Sequence, residues 1–280
     1  MRSSPETKLF VSISARPGRF GATVYSALFE RFGIDAVYLP RLAPPEARQI
    51  TDSIRALAID GCSVSSPHKS AVISTVDSLA PSAETAGAVN TIVRGADGRL
   101  TGHCTDVEGV RGALAGRPID SALIYGGGGV VGPAIGGLRA LGAERVAVCS
   151  RNQDQAEQLA ERFDVTPITL EAALTDRFDV LINATPCGRV PADAPDLFRL
   201  LARADGVLDM PVNERASALL DNASSLGLWT RDGVEMCVHQ IAAQANLYLG
   251  PQNGRPISAG LVREIVRGQF LETERGAQAS

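Results

Sequence analysis

Short, uninterrupted apolar runs alternate along this chain with longer stretches in which apolar residues recur every three or four positions. Residues 9–13, 36–39 and 62–64 have the length and side chains of buried strands, whereas 24–32 and 44–58 carry helical spacing. Residues 90–94 and 100–102 flank Gly95-Ala-Asp-Gly98, whose Asp-Gly step predicts a hairpin because glycine supplies positive φ at little cost. The alternation restarts with strands at 121–125, 145–149, 178–183 and 206–209 and helices at 130–141 and 153–162. Two long helices, 235–249 and 259–271, close the chain. Strand and helix in strict alternation predict an α/β fold with open, largely parallel sheets.

Length turns one such layer into two. At 280 residues the chain exceeds one typical domain, and 45% hydrophobic residues suffice for two cores. A net charge of −4 argues against a nucleic-acid surface or a polybasic membrane patch. No apolar run approaches the roughly 20 residues that span a bilayer, and the polar start Met1-Arg-Ser-Ser-Pro-Glu-Thr-Lys8 lacks the pattern of a signal peptide. Five scattered cysteines without a C-x-x-C pair read as reduced thiols of a cytoplasmic protein. Neither they nor His68, His103 and His239 show metal-ligand spacing, so no metal site is expected.

Gly126-Gly-Gly-Gly-Val-Val-Gly132 follows a strand and opens a helix. Glycines there permit a tight turn and let backbone N–H groups at a helix N-terminus approach a pyrophosphate. Four glycines allow two registers of the G-x-G-x-x-G pattern. The next strand ends in Cys149-Ser-Arg-Asn152, with Arg151 where an NAD site usually offers a carboxylate to the ribose. A guanidinium suits a 2′-phosphate, which favours NADP and leaves NAD possible. The competing reading is an exposed arginine at a helix start.

Candidate acid–base chemistry lies upstream. Gly61-Cys-Ser-Val-Ser-Ser-Pro-His-Lys69 puts a lysine just beyond a strand's carboxyl end, and Cys104-Thr-Asp106 supplies a carboxylate before the next helix. A protonated lysine donates to a carbonyl oxygen, and needs burial or cationic neighbours to accept a proton near neutral pH. On these residues alone, Lys69 is equally a solvated residue at a helix start and Asp106 an N-cap.

The blocks resemble, in order, those of shikimate/quinate dehydrogenases. Ser63-Val-Ser-Ser-Pro-His-Lys69 is similar to N-V-T-x-P-x-K, Gly87-Ala-Val-Asn-Thr91 to G-A-V-N-T, and Gly98 to Asp106 to G-x-L-x-G-x-N-T-D. Ile182-Asn-Ala-Thr-Pro-x-Gly188 resembles I-N-A-T-P-x-G, and the stretch from Asp232 to Gln240 resembles D-G-x-x-M-L-V-x-Q. The resemblance implies a substrate-binding domain at 1–106, completed by about 237–280, and a Rossmann-type NADP domain at 107–236. It implies Lys69 and Asp106 as the catalytic pair, with Ser65, Asn90 and Gln240 on substrate hydroxyls. Gly126, Gly128, Gly129, Val130, Ser150, Arg151 and Asn152 would hold the cofactor, with Thr185 and Met210 near its nicotinamide. The reaction implied is NADP-dependent reduction of 3-dehydroshikimate, or of a close cyclic acid, by a monomer or homodimer.

Departures from the family pattern bear on substrate and cofactor. The family's Ser-x-Ser-Pro before the first helix is absent, leaving Ser14 or Arg16 to meet a carboxylate, Arg16 bidentately. Cys104 replaces an asparagine, Val212 a tyrosine, Gln155 a second basic residue and Glu235 a glycine. The pattern Ser-x-Ser-x-Arg-Pro-x-x-Phe-Gly resembles the shikimate-dehydrogenase-like branch. Quinate and aminoshikimate chemistry stay open, as does a nucleotide-binding regulatory module without turnover. A methylene-tetrahydrofolate dehydrogenase also uses a lysine, but Asn90, Asp106 and Gln240 together discriminate against it.

Overall fold

The computed structural model describes residues 4–188, 191–212, 217–252 and 254–278. Its backbone separates into two compact units, one made of Met1–Thr105 with Ile241–Ser280 and the other of Asp106–Gln240. The division falls within the helix Gly233–Leu249.

In the first unit six strands, β1 (Lys8–Ser14), β2 (Ala36–Leu42), β3 (Gly61–Val64), β4 (Ser78–Leu79), β5 (Thr91–Arg94) and β6 (Leu100–His103), form one sheet in the order β2-β1-β3-β5-β6-β4. β1 runs parallel to β2 and β3, while β5 is antiparallel to β3 and β6. The helices Phe20–Phe32 and Ala47–Ala56 belong to this unit, as does Ala259–Gln278. Phe10, Tyr25, Phe29, Tyr38 and Tyr248 cluster in its core, with Tyr25 stacked on Tyr38 at 4.4 Å. Gly61 makes room for them, since a Cβ there would run into the Tyr248 ring.

The second unit contains β7 (Ser121–Tyr125), β8 (Arg145–Cys149), β9 (Thr166–Pro167), β10 (Val180–Asn183), β11 (Gly206–Asp209) and β12 (Trp229–Arg231). All run parallel in the order β12-β11-β10-β7-β8-β9, the doubly wound arrangement of dinucleotide-binding sheets. Strand residues alternate between two cores. Ala122, Ile124, Val146, Val148, Val180 and Ile182 pack with the helices Asp106–Leu114, Val131–Ala140 and Gln153–Phe163. Leu123, Ala147, Leu181 and Val207 pack with Pro195–Leu200 and Ala218–Ser225 on the other face. At the sheet edge the Trp229 indole lies on Gly206, where a Cβ would strike its ring, and Arg117 covers that ring at 5.2 Å.

Three expectations shift. The 44–58 helix shortens to Ala47–Ala56: Leu57 is non-helical and Ala58 turns to φ 49°, ending the run. The strand expected from 178 begins at Val180, because Phe178 makes only an isolated bridge to Ala204. Beyond Lys69 the chain forms the 3₁₀ turn Ala71–Thr75 rather than an α-helix, the bond from Ile73 N to Ser70 O spanning three residues. Among the described residues no helix is long and apolar enough to cross a membrane.

Candidate functional site

In the first unit, the sequence-selected residues gather where β1, β3 and β6 end and β5 begins. Ser65 N donates to Ile13 O at 2.9 Å, Val64 N to Asn90 O at 2.8 Å and Val89 N to Lys69 O at 2.7 Å. These backbone bonds bring Ser14, Ser65, Lys69 and Asn90 to the carboxyl edge of the parallel strands, where open α/β sheets bind ligands. Ser65 is exposed, and Ser14 and Lys69 are half-buried. Arg16 lies on the exposed turn after β1, its backbone N–H donating to Ser14 Oγ at 3.1 Å.

Asn90 is 2% exposed and its amide orientation is fixed. Its Oδ1 accepts from Thr105 N at 2.8 Å, Thr91 Oγ1 at 2.8 Å and Thr105 Oγ1 at 3.1 Å. A backbone N–H can only donate, so Oδ1 must face it and Nδ2 must point away. Nδ2 is buried and, among the described residues, has no hydrogen-bond partner. Leaving such a donor unpaired costs about 1–3 kcal/mol, which a hydroxyl or carbonyl on a bound ligand would recover.

The second unit holds Asp106 and Gln240 on two helices that cross closely. Asp106, 3% exposed, is the first residue of Asp106–Leu114. A Cβ on Gly109 would lie 2.9 Å from Met236 O and 3.1 Å from Gln240 Cβ, and one on Gly112 would strike the His239 ring. Glycines at both positions therefore permit the crossing that sets the half-buried Gln240 one turn beyond Met236. His239 Nε2 lies 3.2 Å from Glu235 Oε1, so the glutamate that replaces the family's glycine has a partner on its own helix.

The glycine-rich turn lies at the carboxyl ends of β7, β8 and β10, where Tyr125 is in register with both Cys149 and Asn183. Gly126 has φ 138°, donates to Cys149 O at 2.8 Å, and leaves no room for a Cβ against the Ala184 carbonyl at 3.0 Å. Gly128 and Gly129 face open space, and Val130 caps the helix Val131–Ala140. Gly126 thus makes the turn, and Gly128 and Gly129 present bare backbone beside a helix N-terminus. A cleft of about 230 Å³ runs from this turn past Ser150, Arg151 and Asn152 to Thr185 and Pro186. A second, of about 370 Å³, shares Tyr125, Ser150 and Arg151 and extends to Thr169, Glu171 and Asp196. Asn152 Oδ1 caps the helix Gln153–Phe163 by accepting from Gln155 N at 3.4 Å, which leaves Arg151 exposed at the cleft. The Gln155 side chain folds over Gly127.

Asn183 carries a load that sequence reasoning did not assign to it. Its Oδ1 accepts from Thr185 N and Thr185 Oγ1, its Nδ2 donates to Cys187 O and Asp209 Oδ1, and its backbone O accepts from Met210 N. One buried asparagine thus fixes Thr185 through its side chain and Met210 through its backbone carbonyl. The legible signal was an asparagine ending the apolar run Val180-Leu-Ile-Asn183.

Residues 21–92 match the model of the shikimate dehydrogenase substrate-binding domain. The chain is 36% identical to the shikimate dehydrogenase (NADP⁺) of Thermococcus kodakarensis, the match covering 95% of this chain and 97% of that one. Its fold matches the shikimate 5-dehydrogenase of Thermus thermophilus, solved in complex with NADP(H) and shikimate. That similarity has a TM-score of 0.80 and 26% identity, and covers 93% of this chain and 99% of the other. The quinate dehydrogenase of Corynebacterium glutamicum, solved with NAD, gives a TM-score of 0.81 at 25% identity over 94% and 99% of the two chains.

Proposed function

The chain belongs to the shikimate/quinate dehydrogenase family, and from that membership we propose that it is an NADP-dependent oxidoreductase of shikimate or a close cyclic hydroxy acid. The observation that carries this reading is the unspent Nδ2 of Asn90, a buried donor held at the edge where Ser65 and Lys69 also emerge. A polyhydroxylated ring offers the acceptor that this donor lacks.

In this reading Met1–Thr105 with the C-terminal helices binds the substrate, and Asp106–Gln240 binds the dinucleotide. Ser65, Asn90 and Gln240 bond ring hydroxyls, and Ser14 or Arg16 meets the carboxylate. Lys69, assisted by Asp106, gives a proton to the ketone oxygen as it becomes an alkoxide and takes it back in the oxidative direction. The bare backbone of Gly126, Gly128 and Gly129 with Val130 fits a pyrophosphate, and Ser150, Arg151 and Asn152 fit an adenosine 2′-phosphate. Thr185 and Met210 stand at the nicotinamide end. NADP(H), when bound, supplies or accepts the hydride.

The exposed Arg16 and the buried Cys104, whose N–H is taken by Ser82 Oγ at 3.1 Å, are the observations that favour a relative of shikimate, such as quinate or an aminoshikimate, as a second reading. Following nicotinamide absorbance with shikimate, quinate and related acids, each with NADP⁺ and NAD⁺, tests both. The expected result is turnover with shikimate or a close relative and NADP⁺. Tight NADPH binding without turnover of any cyclic acid would instead make the chain a regulatory module.

A further inference from the structure

We propose that Gln244 is a positioning residue, the centre of a buried one-way hydrogen-bond relay that holds Asn90 ready for the substrate; this rests on the reading of Asn90 as a donor to a substrate hydroxyl. Gln244 is 2% exposed and belongs to the helix Gly233–Leu249. Its Nε2 donates to Thr91 Oγ1 at 2.6 Å, and its Oε1 accepts from Tyr25 OH and Ser63 Oγ, each at 2.9 Å. Ser63 Oγ in turn lies 2.7 Å from Tyr38 OH and 3.1 Å from Tyr248 OH.

Counting hydrogens fixes the direction of every bond. Thr91 receives from an amide NH₂, which has no lone pair to offer, so the single Thr91 hydroxyl proton is released to Asn90 Oδ1 at 2.8 Å. Ser63 spends its own proton on Gln244 Oε1, so Tyr38 and Tyr248 must be the donors to it. Donation therefore runs from the tyrosines through Ser63, Gln244 and Thr91 to the carbonyl side of Asn90, and ends at the unspent Nδ2. Two independent donors, the Thr105 backbone and the Thr91 hydroxyl, oppose rotation of the Asn90 amide. Reversing the Gln244–Thr91 bond would turn the Thr91 oxygen into an acceptor that competes with substrate for Nδ2.

Gln244→Glu makes that reversal and can be undone by pH. An ionised carboxylate only accepts, so Thr91 would donate to it and release Asn90. A protonated one donates again, and burial raises the pH at which it protonates. With shikimate and NADP⁺ as probes, Gln244→Glu is expected to raise the shikimate KM roughly tenfold at pH 8, the scale of one neutral hydrogen bond. The variant-to-parent KM ratio should shrink toward one at pH 6, with the NADP⁺ KM unchanged. A ratio that does not move with pH, or a parallel rise in both KM values, overturns the relay.

Thr91→Val and Thr91→Ser provide the arm that survives a folding failure at position 244. The valine variant should raise the shikimate KM and the serine variant restore it; equal KM values for the two overturn the proposal. Asn90→Ala separates the premise from the relay. If it leaves the shikimate KM unchanged, the reading of Asn90 fails and takes the relay with it. A rise with Asn90→Ala alone, absent from Gln244→Glu and Thr91→Val, overturns the relay only.

Discussion

Asn183 Nδ2 donates to Asp209 Oδ1 across 2.7 Å, joining the ends of two adjacent parallel strands at positions that solvent barely reaches. Burial raises the Asp209 carboxyl above its usual range, against the hydrogen bonds from Ser217 and Asn183, and Asp232 adds to the rise. The charged form is thus the costly one, and in either form an Asp209 oxygen can accept from Asn183 Nδ2.

That cost has a sign. A carboxyl whose folded pKa lies above the unfolded value binds its proton more tightly when folded, so its stabilising contribution is complete at acid pH and is lost as pH rises through the folded pKa. Asp209→Asn keeps an acceptor for Asn183 and removes the titration. The melting temperature of the variant, measured relative to the parent across pH 4 to pH 8, should therefore improve as pH rises above the ordinary carboxylate range and level off above the folded pKa. A difference that stays level across this range would mean that the carboxylate is not desolvated.

Lys69→Ala should lower turnover by roughly 10²–10⁴-fold, the span of a positioned acid–base group, while leaving NADPH affinity nearly intact. The motivation is its place in the first unit, on the peptide bonded to Val89, whereas the glycine turn belongs to the second. Titration calorimetry with NADPH beside steady-state rates separates the two effects. Undiminished turnover would remove Lys69 from the chemistry.

Arg151→Ala should weaken NADP⁺ and leave NAD⁺ almost unchanged, because the arginine is exposed at the cleft beside Ser150 and Asn152. Gln155 occupies the position of a second basic residue and its side chain folds over Gly127, so the parent's preference for NADP⁺ should be modest. Equal loss for both cofactors in a direct binding assay would show that Arg151 does not read the 2′-phosphate.

Arg16→Ala should raise KM for a carboxylate substrate far more than for its uncharged amide analogue, since a guanidinium offers charge and two parallel donors. If both analogues lose affinity equally, Arg16 only shapes the turn in which its N–H bonds Ser14 Oγ.

Legibility in the sequence followed the range of the interactions. The strands Ser121–Tyr125, Arg145–Cys149 and Gly206–Asp209 were readable to the residue, because a fully buried parallel strand is a continuous apolar run with polar or glycine ends. Phe178 was misjudged because an apolar residue in an isolated bridge has the same local signature as one in a ladder. Motif spacing singled out Ser65, Lys69 and Asn90, which the fold brings to one edge of the sheet. Gln244 was not singled out, since it is one of several polar residues along its helix and its partners stand 153, 181 and 219 residues away. Nor could the sequence show that glycines at 109 and 112 serve a helix crossing.

The contact of Trp229 with Gly206 makes the chain its own reporter. Trp229 is the sole tryptophan, and it lies wholly within the second unit, while three of the four tyrosines (Tyr25, Tyr38 and Tyr248) are packed in the first. Selectively excited indole fluorescence therefore follows the melting of the dinucleotide-type sheet alone, and tyrosine near-ultraviolet dichroism weights the other unit. Overlaying the two denaturation curves reads the cooperativity between the units directly, without a label or a truncated chain.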